Sequence, residues 1–408
     1  MVRVHPRLPI LHAGVVRRIR RGPSGRGYEP GDLEVQILPR TIFGSSSKGQ
    51  GAALRRLRFR FDPGRLSYRR HSFIAIQRTG WGGPSRYNDA MNRRTFFGVA
   101  AGLTLADAGP LPSSSIPVID THIHLFDPTR PQGVPWPRKD VPAHQVMYMP
   151  SLPSRYRKVV EGLGIVGAIE VECSAWLEVN QWVLDVARDD SVMVGTVGHL
   201  TPGAPEFRPN LDRFRKNPLF RGIRYGLGGR AGQEVDRPEF IADLKALADA
   251  DLALDTANPS VALLANVVRV SDRIPTLRVV IDHLPQMLRP AEPAAQASYD
   301  ASMKAFRERP QVYVKVSEVL RRVDDKIPVD LEFYRPRLDE ILDVFGIDRV
   351  LYGSDWPNGD QWLPVPVGFK IVQEYFMGKG QVAAEKYFWR NSIKAYKWVK
   401  RTANQPQA

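Results

Sequence analysis

Cysteine is almost missing from this 408-residue chain: Cys173 stands alone. No disulfide can form within the molecule, so its stability must rest on a packed core. Apolar residues make up 43% of the chain, enough for a large one. Cys173 ends an apolar, strand-like run, where a buried structural thiol is expected rather than a nucleophile. Acidic residues are scarce at the start. Residues 1–90 hold 5 Asp+Glu against 18 Lys+Arg, and Lys48 is the only lysine among those 18. The formal charge of the whole chain is +15, but beyond residue 90 there are 40 basic residues to 38 acidic ones. A basic face for nucleic acid is therefore not expected on that part. No Gly-x-Gly-x-x-Gly follows the first strand candidate, which speaks against a dinucleotide site. No internal repeat of roughly 20–50 residues recurs.

The basic stretch has scattered Gly and Ser, little periodicity, and Arg runs such as Arg17-Arg18-Ile19-Arg20-Arg21. It reads as a disordered arm, or as a leader upstream of a true start at Met91. After Met91 come Asn92-Arg93-Arg94-Thr95-Phe96-Phe97-Gly98, a short apolar run, and Ala106-Asp107-Ala108. This pattern resembles a bacterial twin-arginine export signal. Its apolar run is shorter than the roughly 20 residues a bilayer span needs, so stable membrane insertion is not expected. The domain reading is a basic region over 1–90, a signal over 91–108 and one catalytic domain over 116–400. The expected partner is the twin-arginine machinery, the expected destination the periplasm, and the mature chain runs from about residue 109.

From Ile116 the sequence alternates short Val- and Ile-rich runs with helical patterns. Strand candidates are Val118–His124, Gly167–Cys173, Val192–His199, Phe220–Tyr225, Leu252–Thr256, Arg278–His283, Val312–Ser317 and Arg349–Ser354. They are apolar almost throughout, as parallel strands buried on both faces must be. Helical patterns lie at 177–187, 238–249, 260–271, 294–308 and 330–345. Eight such units predict an α/β (β/α)8 barrel, with a doubly wound open sheet as the rival. A Pro-rich insert over 125–163, with Trp136 and Tyr148, follows the first strand and is placed to shape a site. Residues 364–400 read as two closing helices.

His122 and His124 end the first strand at i, i+2 spacing, which puts both imidazoles on one face. His283 ends the sixth strand and Asp355 follows the eighth, which a closed barrel sets beside the first. Three imidazoles and a carboxylate at one mouth suit a Zn-like divalent ion, or equally acid–base work without metal. Asp355 is placed to take a proton from water, and a histidine to polarise a carbonyl. Arg224 ends the fourth strand, where a guanidinium suits a substrate carboxylate. His199, ending the third, is a weaker substrate-binding candidate. Lys315 and Ser317 alternate with Val on the seventh strand. Asp120 shares parity with His122 and is placed to orient it. Strict alternation turns Asp282 away from His283 and makes it structural. Trp356 and Trp136 are candidates to wall a sugar-sized pocket.

These motifs together resemble the amidohydrolase superfamily, in the amidohydrolase-related branch that includes sugar lactonases. The residues that carry the resemblance are Ile119-Asp120-Thr121-His122-Ile123-His124, Gly222-Ile223-Arg224, Val280-Ile281-Asp282-His283-Leu284, Val314-Lys315-Val316-Ser317 and Gly353-Ser354-Asp355-Trp356-Pro357, with Asn391 in the closing helix. The resemblance covers about residues 116–400. It implies a (β/α)8 barrel that hydrolyses a cyclic ester or related bond, with the histidines and the final aspartate lining the site. Metal-dependent members usually add a histidine from the fifth strand, and Leu252-Ala253-Leu254-Asp255-Thr256 has none. The rival functions are a metal-dependent decarboxylase of the same superfamily and a binding barrel without turnover.

Overall fold

The computed structural model describes residues 32–36, 56–60, 116–228 and 231–407. The export signal read at 91–108 lies outside these residues, as does most of the basic region. Within that region β1 (Asp32–Gln36) pairs antiparallel with β2 (Arg56–Arg60), Asp32 opposite Arg60.

The remaining strands are β3 (Val118–Ile123), β4 (Ile165–Val171), β5 (Met193–Gly198), β6 (Phe220–Arg224), β7 (Ala253–Thr256), β8 (Val279–Ile281), β9 (Val312–Val316) and β10 (Val350–Tyr352). Each pairs parallel with its neighbour in sequence, in one eight-stranded sheet. The ends of the sheet meet. Thr121 Oγ1 donates to the Tyr352 carbonyl at 2.5 Å, Asp355 N to the His122 carbonyl at 2.8 Å, and His124 N to the Trp356 carbonyl at 2.7 Å. The predicted barrel is thus the fold, and all eight strand candidates are strands, seven trimmed by a few residues at the ends and one, β4, starting two residues earlier than expected.

The helices are α1 (Pro153–Val159), α2 (Leu177–Asp189), α3 (Phe207–Phe214), α4 (Pro238–Asp249), α5 (Val261–Arg273), α6 (Pro293–Phe306), α7 (Leu331–Phe345), α8 (Val365–Gly378), α9 (Gln381–Glu385) and α10 (Asn391–Tyr396). The sequence reading missed α1, inside the Pro-rich insert, and α3. Both are short, seven and eight residues, so few turns of periodicity betray them. The closing segment holds α8, α9, a π-helical turn (Lys386–Arg390) and α10 rather than two helices.

Alternation along the strands sorts side chains into two layers. Val279 and Ile281, Val312, Val314 and Val316, and Val350 and Tyr352 join the large cluster that packs the helices on the strands. Val280, Tyr313 and Leu351 join a smaller cluster with Ile119, Ile169, Val194 and Tyr396. The chain after α10 closes the barrel at the N-terminal ends of the strands. There Val399 N donates to the Val194 carbonyl at 2.9 Å and Arg278 Nε to the Ala395 carbonyl at 2.8 Å. The opposite, C-terminal mouth is left for chemistry.

Candidate active site at the barrel mouth

Three imidazoles meet one carboxylate at that mouth. His124 Nε2 lies 3.1 Å from Asp355 Oδ1, His122 Nε2 3.4 Å and His283 Nε2 3.6 Å. The other ring nitrogens face partners that fix the rings. His124 Nδ1 is 2.6 Å from the Val171 carbonyl and His283 Nδ1 is 2.8 Å from Ser317 Oγ. Lys315 Nζ lies 3.1 Å from His122 Nδ1. Asp120 acts one step back: its carboxylate accepts from His122 N, Ser354 N and the Tyr156 hydroxyl, tying β3 to the end of β10. The orienting role read for Asp120 is therefore exerted on the backbone of His122, not on its ring.

The backbone explains how so many groups face one point. Asn258, His283, Glu318 and Asp355 all have φ near +50° and follow four successive strands, β7 to β10. Few non-glycine residues adopt this left-handed conformation, and those that do gather at functional sites. Each strand thereby ends in a sharp turn that breaks the alternation. This corrects the reading of Asp282. It does not point away from the site: its Oδ1 lies 3.5 Å from His122 Nδ1 and 3.0 Å from Lys315 Nζ, while His283 is swung to the mouth by its own φ of 53°.

Beneath the histidines lies a closed ionic layer. Lys315 Nζ reaches Asp255 Oδ2 at 2.6 Å as well as Asp282, and the Tyr396 hydroxyl donates to Asp255 Oδ2 at 2.7 Å. All of these side chains are buried. Burial pushes the Asp255 carboxyl up, Lys315 pulls it back, and the balance stands at about 6. Burial acts on Asp282 too, but Lys315 and then His122 outweigh it and hold it far below the usual carboxylate range. For Asp355, burial is overcome by His283 and by the hydrogen bond and charge of the first-strand histidines, so it stays a carboxylate. His122 is driven down by burial and next by Lys315. Asp255, on β7, the fifth strand of the barrel, lies in this layer below the histidines.

The cavity above measures about 450 Å³, a size suited to a small molecule. His124, His283, Asp355 and Arg224 line it, together with Trp136 from the Pro-rich insert. Trp136 stands edge-on to His124, centroids 5.5 Å apart, so the insert does shape the site. Two substrate-binding candidates fall elsewhere. Trp356 is fully buried, packed on Tyr156 at 5.3 Å, and is core rather than wall. His199 is outside the lining; its backbone is clamped by Asn180 and its ring is 3.4 Å from Thr201 Oγ1. Arg224 is present, but Glu172 holds it: Nε donates to Glu172 Oε1 at 3.1 Å and Nη2 to the Glu172 carbonyl. Cys173 also borders the cavity, with its thiol pushed up by burial and the nearby Glu170 and Glu172, hence protonated.

Sequence reasoning missed Glu172, Glu318 and Asn358. Asn358 Nδ2 bridges Glu318 Oε1 at 2.8 Å and Asp355 Oδ2 at 2.5 Å. Burial, then the charge of Asp355, pushes the Glu318 carboxyl well up. Glu172 and Glu318 each follow a strand end within two residues, a position that would have flagged them. Asn358, three residues past Asp355, carries no comparable signal.

The donor set fits a divalent ion. His122 Nε2 is buried without a hydrogen-bond partner, and His122, His124 and Asp355 offer ligand atoms within 4.8 Å of one another, as do His283, Glu318 and Asp355. The residues that would hold such an ion are His122, His124, His283 and Asp355. Its contribution would be Lewis acidity toward a substrate carbonyl.

Comparison with known proteins agrees with this architecture. An L-fucono-1,5-lactonase of Burkholderia ambifaria is 27% identical over 243 residues, covering 59% of this chain and 80% of the relative. One of Burkholderia multivorans is 26% identical over 250 residues, covering 59% and 81%. A crystal structure of an amidohydrolase from Burkholderia multivorans with bound Zn superposes with a TM-score of 0.60 at 21% identity, covering 69% of this chain and 99% of that one. The amidohydrolase family model matches residues 119–398. This chain belongs to the amidohydrolase family.

Proposed function

We propose that this protein hydrolyses a small hydroxylated lactone, with Asp355 as the base that activates water. One observation carries the reading: Asp355 Oδ1 is ringed by three imidazole Nε2 atoms at 3.1–3.6 Å, at the floor of a cavity of about 450 Å³. The lactonase relatives support the choice of a cyclic ester. Asp355 lies at the floor of the cavity and accepts a proton from water as the oxygen attacks the lactone carbonyl. The histidines face the developing oxyanion. As the ring C–O bond breaks, the alkoxide takes the proton that Asp355 received from water, which restores the carboxylate, and the hydroxy acid leaves. Lys315, Val171 and Ser317 hold the rings, so no reorganisation is required during the reaction.

Asp355→Asn tests this directly. The variant should fold, with an unchanged circular dichroism spectrum, and lose at least about a thousandfold in kcat/KM on aldonolactones. Lactone hydrolysis retained by that variant ends the assignment. Release of carbon dioxide from an aromatic acid by the wild type would move it to a decarboxylase. Metal analysis reads the cluster separately: about one divalent ion per chain, reduced in the variant, is expected if the four residues are ligands. A metal-free wild type that still hydrolyses lactones would leave the histidines as polarising groups alone.

A further inference from the structure

We infer that Glu172 makes this pocket selective for uncharged lactones, by cancelling the cation on its wall. The inference rests on the lactonase reading and narrows its substrate class. Among the described residues that line the cavity, Arg224 is the only lysine or arginine. Its side chain is 12% exposed, and its three nitrogens are turned to acceptors of the protein. Nε donates to Glu172 Oε1 at 3.1 Å, Nη2 donates to the Glu172 carbonyl, and Nη1 lies 3.7 Å from Asp282 Oδ2. A guanidinium so engaged has its charge balanced by Glu172 and its Nε–Nη2 edge occupied, which leaves Nη1, without a hydrogen bond, as its unfilled nitrogen.

The rest of the lining points the same way. Glu172, Glu318 and Asp355 all border the cavity, and Lys315 lies beneath it, bound by Asp255 and Asp282. A substrate carboxylate would leave water to sit beside Glu172 and Asp355, with no free lysine or arginine to meet it. Hydroxyl groups fare better. Glu172 offers them an acceptor and Asn258 an amide, while Trp136 offers aromatic surface to the C–H side of a sugar. A divalent ion on the histidines would lie beside Asp355 at the floor and leave the Glu172–Arg224 pair as it is. Glu172 is thus a specificity residue, and the anion-binding role read from the sequence for Arg224 is cancelled by its neighbour.

The test is steady-state hydrolysis, by the full chain, of a matched pair: an aldonolactone, and the aldarolactone of the same ring and configuration with a carboxylate in place of the terminal CH2OH. The wild type should favour the neutral lactone by at least about 100-fold in kcat/KM. The gap should narrow as KCl rises from about 0.05 to about 0.5 M, because salt screens the repulsion. Glu172→Gln keeps an oxygen for Arg224 Nε and removes the charge, and should cut the preference at least about tenfold, chiefly through KM for the acidic lactone. Glu172→Asp keeps the charge and should keep the preference. Equal or faster hydrolysis of the acidic lactone by the wild type overturns the inference, and so does an unchanged preference in a folded Glu172→Gln protein. If that variant does not fold, the salt response of the wild type decides. If neither lactone is hydrolysed, the hydrolase reading fails on its own. Calorimetric titration with the same two intact lactones then still decides charge selection, and tighter binding of the acidic one refutes it.

Discussion

Gly353 shows how closely the last strand must approach the first. A Cβ placed on it would lie 2.8 Å from His122 Cβ and 3.3 Å from Ser317 Cβ. Neither neighbour can retreat cheaply. His122 is held through Lys315 and Ser317 holds His283. Gly353→Ala should therefore shift His122 by a few tenths of an ångström or more. The expected result is a fall of at least about tenfold in kcat/KM on lactones with most of the thermal stability kept, since misplacement of reacting groups costs rate steeply. Kinetics and thermal melting of one preparation check it. A variant with wild-type kinetics would mean the strand end has slack that the packing denies. At this scale much was readable beforehand. His122, His124, His283, Asp355 and Arg224 were identifiable because each is a polar residue interrupting or ending an apolar run. Asn358 was not, because it follows its strand in a loop whose path no periodicity encodes.

β10 carries Asp355 to the site because the strand is anchored at the end away from it. Asn391 opens α10, fully buried, and its Nδ2 donates to the carbonyls of Ile347 at 2.8 Å and Val350 at 2.9 Å. It fixes the start of β10, whose other end leads to Asp355. Asn391→Ala leaves two carbonyls short of a donor and should cost about 1–3 kcal/mol of unfolding free energy. Urea denaturation measures this, and a loss below about 0.5 kcal/mol would show that the strand does not need the anchor. The helix boundaries followed their signals well. Proline begins α4 at Pro238, and Ser260 caps α5, its side chain accepting from Leu263 N at 3.2 Å. The short helices α1 and α3 escaped because two turns give too few apolar repeats to stand out.

The whole molecule is an active-site barrel preceded by a strongly basic stretch. The barrel's charges nearly balance, and the excess sits before residue 91. Among the described residues no helix is long and apolar enough to cross a membrane. If residues 91–108 act as the export signal proposed from their sequence, protein recovered from producing bacteria should be in the periplasmic fraction. Its N-terminus should lie near residue 109, as intact mass would show. Cytoplasmic protein starting near Met1 would refute that reading.

The sequence by itself determined the barrel. Eight apolar strands separated by amphipathic helices can bury both faces of a parallel sheet in few other ways. It also determined which residues end the first, sixth and eighth strands. Only the tertiary structure decided how those ends are used. Four left-handed turns, at Asn258, His283, Glu318 and Asp355, aim neighbours in sequence at one mouth, and φ is set by the packing around each turn. Only the fold set Glu172 against Arg224, 52 residues apart, and Asp255 with Asp282 around Lys315. Charges cancel through distance in space, and a linear sequence does not contain that distance.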